Sequence, residues 1–122
     1  MEELVSVSES FSPIRMVAGQ RDPSILNVTV KNKSKDSVIA TVIAKIPFSL
    51  GFDRIGLERE ARRRIGFVKP ESEKVVPIPI HLKVSAGEGV YPIDVRVQLH
   101  KDRYDKVEKE LRTTAELRVI SR

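Results

Sequence analysis

A chain of 122 residues with 40% apolar residues can fill one hydrophobic core, which predicts a single domain over residues 1–122. The absence of cysteine excludes disulfides, thiol catalysis and cysteine-ligated metal. The net charge of +5 favours acidic partners, but the 17 acidic residues are mixed among the 22 basic ones, which weakens that argument. The charged fraction of 32% fits either a thermophilic protein or a very soluble surface.

The N-terminal segment MEELVSVSES is acidic and lacks the basic start and apolar run of a signal peptide. No apolar run approaches the ~20 residues that a membrane helix needs. We therefore expect a cytoplasmic protein without a membrane span, or an extracellular one if the sequence was excised from a longer secreted precursor.

Strict alternation of apolar and polar residues predicts strands along most of the chain, beginning with Leu26, Val28 and Val30. Polar turn segments separate these strands, and no strongly helical segment intervenes. This spacing predicts an all-β fold, an antiparallel sandwich or a barrel.

Residues 38–46 differ because both faces of this segment are apolar, which predicts a central strand. If the even-numbered positions supply the core, Ile39, Thr41 and Ile43 emerge on the opposite face. An exposed apolar face usually marks a partner surface. The alternative, equally open from the sequence, is that long neighbouring side chains cover these three residues.

Residues 54–64 are ambiguous, since Leu57, Ala61 and Ile65 would share one face of a helix. We predict instead a loop over 49–58, with room for one helical turn, and a strand over 61–68. In strand phase Ile65 and Phe67 would point into the core. The turn KPESE would then lead back into 74–84, making 61–68 the outer member of a hairpin at a sheet edge.

A basic cluster precedes and enters this strand, formed by Arg59, Arg62, Arg63 and Arg64. We interpret it as an edge guard and solvated face, because charged side chains on an edge strand stop another chain from pairing there. In strand phase Arg62 and Arg64 face solvent, and Arg63 joins the inward phase at the sheet margin. The alternative is a grip on nucleic acid, although aromatic residues, which such sites usually employ, are only 5% of the chain.

Two further expectations concern the later strands. Pro77 and Pro79 lack N–H groups on the same side of one strand, so that side should lack ladder hydrogen bonds near 77–79. In the hairpin over 90–119, complementary charge favours Arg96 opposite Glu110 and a pair sum of about 206. A slide by two residues would oppose Arg96 to Arg112.

Three stretches together resemble bacterial and archaeal Ig-like modules: VAGQRDPSILNVTVKNKSKDSV, FVKPESEKVVPIPIHLKV and GVYPIDVRVQL. The likeness is to the cell-adhesion-related CARDB domains and to the Ig-like domains of galactosidases and surface-layer proteins. It implies a seven-stranded sandwich used for spacing, docking or adhesion. Arrestin-like sandwiches and adaptin-ear domains share this architecture.

The same resemblance gives Tyr91 a candidate role, since Ig-type sandwiches contain a tyrosine corner near the start of the sixth strand. Its hydroxyl would then bond to backbone upstream. The alternative is a plain core tyrosine.

We find no catalytic, cofactor or metal motif in the sequence. His81 and His100 both fall on the outward phase of their strands and are expected to face solvent, without further ligands at metal-site spacing. We therefore expect a non-enzymatic structural or protein-interaction module of the Ig-like type that needs no cofactor. Its partner would be an unidentified protein or a second copy in a homo-oligomer, and nucleic acid is the alternative.

Overall fold

The computed structural model describes residues 4–53, 55–100 and 103–121. Nine strands and no helix occur in these ranges. The strands are β1 Val5–Ser12, β2 Arg15–Val17, β3 Ser24–Asn32, β4 Val38–Lys45, β5 Leu50–Gly51, β6 Glu60–Val68, β7 Ser72–Leu82, β8 Gly89–His100 and β9 Val107–Ile120.

The strands form two sheets, one of four in the order β1-β3-β7-β5 and one of five in the order β2-β9-β8-β4-β6. All pairs are antiparallel except β2 with β9, which is parallel. This is the predicted all-β Ig-like sandwich. The short strands β2 and β5 account for nine strands where about seven were expected, and β5 lies in the segment predicted as loop.

The core lies between the sheets and is built from the alternating apolar positions. Leu26, Val28 and Val30 of β3 are fully buried, as are the facing residues of β8 and β9. β4 pairs with β6 on one side and with β8 on the other, so the prediction of a central strand is confirmed.

β6 is an edge strand of the five-stranded sheet, as predicted, but it forms no hairpin with β7, which lies in the other sheet. A register shift between Ala40 and Thr41 leaves Ile65 as the extra residue of a bulge. The bulge reverses the phase of the residues after it in β6. Phe67 is therefore exposed and Val68 is buried, so the predicted inward position of Phe67 was wrong.

The prediction for Pro77 and Pro79 is confirmed. β3 pairs with β7 through Pro77 and Pro79, whereas β5 on the other side pairs only with His81 and Leu82. The side of β7 facing β5 is thus open near 77–79.

The predicted register of the last hairpin was wrong, because Arg96 lies opposite Arg112 and Val97 opposite Leu111. Glu110 reduces the repulsion between these two arginines. Its Oε1 lies 3.3 Å from Arg112 Nε on the same strand and 4.0 Å from Arg96 Nη1 diagonally across the ladder, so one carboxylate contacts both arginines. Asp94 adds a second contact to Arg96, at 3.6 Å.

Candidate interaction surfaces

The outer face of the central strand β4 is covered. Ile39, Thr41 and Ile43, proposed above as an exposed partner surface, are at most 5% exposed. Their neighbours in register on β6 and β8 carry long side chains, among them Arg62, Arg64, Phe67, Arg96 and His100. The expectation of an exposed patch was therefore wrong, and cover by neighbouring side chains is what the structure shows.

His100 occupies the centre of this cover and is buried, contrary to the solvent-facing position expected for it. Its Nε2 lies 2.8 Å from Thr41 Oγ1, and the ring of Tyr104 packs edge-on at 5.2 Å between centroids. His81, by contrast, is half-buried at the margin of β7. Alternation along β8 places His100 on the outer face correctly, but it carries no information about the loop residue that closes over it.

Tyr104 also holds the bulge of β6 in place. The N–H of Gly66 donates to Tyr104 Oη at 2.8 Å, and the guanidinium of Arg64 lies over the Tyr104 ring at 4.9 Å. Gly66 has φ of +72°, in the region that favours glycine. The loop before β9 therefore clamps the middle of the edge strand.

The four arginines of the basic cluster do not form one patch. Arg59 lies before β6, where its guanidinium stacks on Phe48 at 4.2 Å. Arg62 contacts Glu60 at 3.7 Å, and Arg63 donates to the carbonyl of Arg62 at 3.2 Å. With Arg64 on Tyr104, each arginine has a contact inside its own chain.

Tyr91 donates its hydroxyl to the carbonyl of Gly87 at 2.7 Å, four residues upstream. This is the backbone bond that a tyrosine corner requires. The ring packs against the core at the start of β8. Tyr91 thus ties the start of β8 to the connection that follows β7.

The exposed apolar residues concentrate at one end of the sandwich, where β4 and β7 finish and β6 and β8 begin. Of the described residues, five large apolar side chains are 74% or more exposed, and all five lie in connections at this end. They are Ile14, Phe48, Ile55, Leu57 and Val84. We call the last four the apolar loop cluster.

The apolar loop cluster is held together by backbone and cationic contacts. Lys83 N–H donates to the Ser49 carbonyl at 3.0 Å, tying the connection after β7 to the one after β4. The Lys83 ammonium lies 4.7 Å from the Phe48 ring centroid, so Lys83 and Arg59 both contact this ring. A Cβ at Gly56 would come within 2.6 Å of Lys83 Cε, which shows how closely the loop passes.

Sequence reasoning missed the apolar loop cluster because exposure in loops follows no period. The available signal was composition, since Phe48, Ile55 and Leu57 are large apolar residues in a segment interrupted by Gly51 and Gly56. Turns usually carry polar residues, so this segment departs from the norm.

Over residues 4–53, 55–100 and 103–121, no three His, Asp or Glu side chains converge as metal ligands would. In the same ranges no helix is long and apolar enough to span a membrane. One open concave site lies beside the apolar loop cluster and is lined by Gln20, His81 and Val84, among others.

Comparison with solved structures agrees with this fold. The chain is similar to BslA, a bacterial hydrophobin, with 10% identity, coverage of 98% of this chain and 96% of that one, and a TM-score of 0.54. It is also similar to an ASH/PapD-like domain of human CEP192 (PapD-like domain 7), with 16% identity, coverage of 100% and 92%, and a TM-score of 0.54. At such identities the likeness shows the β-sandwich fold alone. No protein-family model and no curated protein matches the chain in sequence.

Proposed function

We propose that this chain is a non-enzymatic Ig-like interaction module that binds a protein partner through the apolar loop cluster. The observation that carries the proposal is the segregation of the five most exposed large apolar side chains at one end of the sandwich. Loops mounted on a rigid sandwich are a common place for binding residues. The sequence resemblance to CARDB-type modules supports a docking or adhesion role of this kind.

The charges around the cluster define the partner further. Arg59 and Lys83 contact Phe48 on the surface, so a complementary partner would offer an apolar patch bordered by carboxylates. Aromatic and arginine side chains together are typical of the residues that dominate binding energy.

The alternative of a nucleic-acid site at the basic cluster finds less support. Arg59 lies at the loop end, while Arg62, Arg63 and Arg64 lie along the edge strand, each with a contact in its own chain. A one-sided basic face with aromatic platforms is what such binding usually needs.

The test is affinity capture with two matched triple variants. Phe48→Ser, Ile55→Ser and Leu57→Ser should abolish capture of the protein that the wild type retains. The control changes three exposed apolar residues elsewhere, Leu4, Phe67 and Val75, to serine and should retain it. The purified partner should then bind wild type and control alike. Equal loss in both variants, or binding only to lipid vesicles, would contradict the proposal.

A further inference from the structure

β9 leaves most of one side unpaired. β8 pairs with it on one side from Val107 to Val119, but β2 pairs on the other side only with residues 118–120. Within the part of the chain that the structure describes, residues 107–117 have no strand on that side. An open edge of this length is a template for another strand.

The open side has a definite set of backbone groups. Ala18 N–H donates to the Ile120 carbonyl at 2.9 Å, so Ile120 directs its backbone groups toward the β2 side. Because successive residues of a strand direct these groups to opposite sides, Glu110, Arg112 and Thr114 direct theirs to the same side. No register shift with β8 interrupts residues 109–119.

The side chains along this edge are complementary to those of a second, antiparallel copy of the same edge. In the segment KELRT, residues 109–113, an antiparallel copy centred on Leu111 sets Glu110 opposite Arg112 of the second copy, and Arg112 opposite its Glu110. Leu111 meets Leu111. Both charges lie on the exposed face of the sheet.

The inner face of the same register is complementary as well. Lys109 of the second copy would lie opposite Thr113, whose hydroxyl donates to Glu9 Oε2 at 3.2 Å. The incoming ammonium therefore approaches a carboxylate on β1. Residues 109–113 would pair with 113–109, inside the part of β9 that is in uninterrupted register with β8, and β2 lies opposite 118–120, so the second copy and β2 occupy separate parts of the edge.

We propose that the occupant of this edge is a second copy of the chain, paired antiparallel through β9 so that residue numbers in each pair sum to 222. The contact is isologous, with a two-fold axis at Leu111, and it joins two five-stranded sheets into one continuous sheet. This dimer surface is separate from the apolar loop cluster, and neither depends on the other.

The first experiment exploits the absence of cysteine from the chain. At non-hydrogen-bonded antiparallel pairs Cα atoms lie about 4.5 Å apart, within the range of a disulfide. Under mild oxidation Leu111→Cys should form a covalent dimer. Lys109→Cys and Thr113→Cys should each cross-link poorly alone but efficiently when mixed. Efficient cross-linking of Thr113→Cys alone would overturn the register.

The second experiment measures association by sedimentation equilibrium. The wild type should dimerise in a concentration-dependent manner, and Arg112→Glu should weaken dimerisation roughly tenfold by setting glutamates opposite each other. Glu110→Arg combined with Arg112→Glu should restore it. The serine variants of the apolar loop cluster should dimerise as the wild type does. A wild type that remains monomeric at every accessible concentration, or a dimer indifferent to Arg112→Glu, would overturn the proposal.

Discussion

The two margins of the five-stranded sheet carry their charges in different patterns. β6 presents three consecutive arginines, Arg62 to Arg64, and its register with β4 is interrupted by a bulge at Ile65. β9 alternates the sign of its charge around Leu111 and pairs with β8 without interruption over residues 109–119. The β6 edge is bulged and carries three arginines after a single glutamate, Glu60, whereas residues 109–119 of β9 are in regular register with β8 and mixed in charge.

If the proposed β9 dimer forms, the order of charges along an edge matters more than their number. A second copy aligned on β6 would bring arginines against arginines, and the bulge would break its ladder. A second copy aligned on β9 brings glutamate against arginine. Under the proposed pairing, the same sheet would reject self-association at β6 and permit it at β9.

The largest expected effect on stability comes from truncating one apolar side chain in each edge strand, a buried one in β9 and an exposed one in β6. Leu117 of β9 is fully buried, so Leu117→Ala should lower the free energy of unfolding by about 2–5 kcal/mol. Phe67 of β6 is 58% exposed, so Phe67→Ala should cost less than about 1 kcal/mol. Urea unfolding measures both. Equal losses of unfolding free energy in the two variants would contradict this expectation.

A smaller effect should result from a methyl group at the bulge of β6. Gly66 has φ of +72°, and a Cβ there would meet only Tyr104 Oη at 3.9 Å, so the cost is backbone strain rather than collision. Gly66→Ala should therefore cost about 1–2 kcal/mol. The matched control is Gly87→Ala, where the space is open, and thermal unfolding should show it near the wild type. Indistinguishable melting curves for the two variants would contradict the claim that the positive φ of Gly66 makes alanine costly at this position.

The smallest effect on stability, but a distinct effect on association, is expected from the edge arginines. Changing Arg62, Arg63 and Arg64 together to glutamine should alter the unfolding free energy by less than about 1 kcal/mol, because their contacts are exposed. Self-association through β6 should increase.

The same variant decides between edge guard and nucleic-acid grip. We expect negligible binding of single- and double-stranded oligonucleotides by the wild type at physiological salt. A phosphate site would instead give steep salt dependence that flattens in the variant. Submicromolar binding that persists at physiological salt and disappears in the variant would contradict the edge-guard interpretation.

Much of the fold could be predicted from the sequence, because alternation reports directly which residues share a face. Leu26, Val28 and Val30 are buried as their period indicates, and the prolines of β7 mark an open side. Alternation failed at Phe67, since one extra residue in a bulge reverses every later position. Gly66 was the signal for that bulge.

The surfaces were harder to predict because they depend on contacts between distant segments. Ile39 and Ile43 are covered by side chains of β6 and β8, and His100 is closed over by Tyr104. The predicted register of β8 with β9 was wrong because the prediction considered only charges that lie directly opposite each other. Glu110 instead contacts both Arg96 and Arg112.

The contrast between the two edges is tested most directly by residue-resolved amide hydrogen exchange at low and high protein concentration. We predict that the amides of Glu110 and Arg112 exchange rapidly in dilute solution and become protected as the protein concentration rises. The amides of β6 that face away from β4 should exchange rapidly at both concentrations, except that of Gly66, which donates to Tyr104 Oη. Protection appearing along β6, or rapid exchange of Glu110 and Arg112 at every concentration, would contradict it.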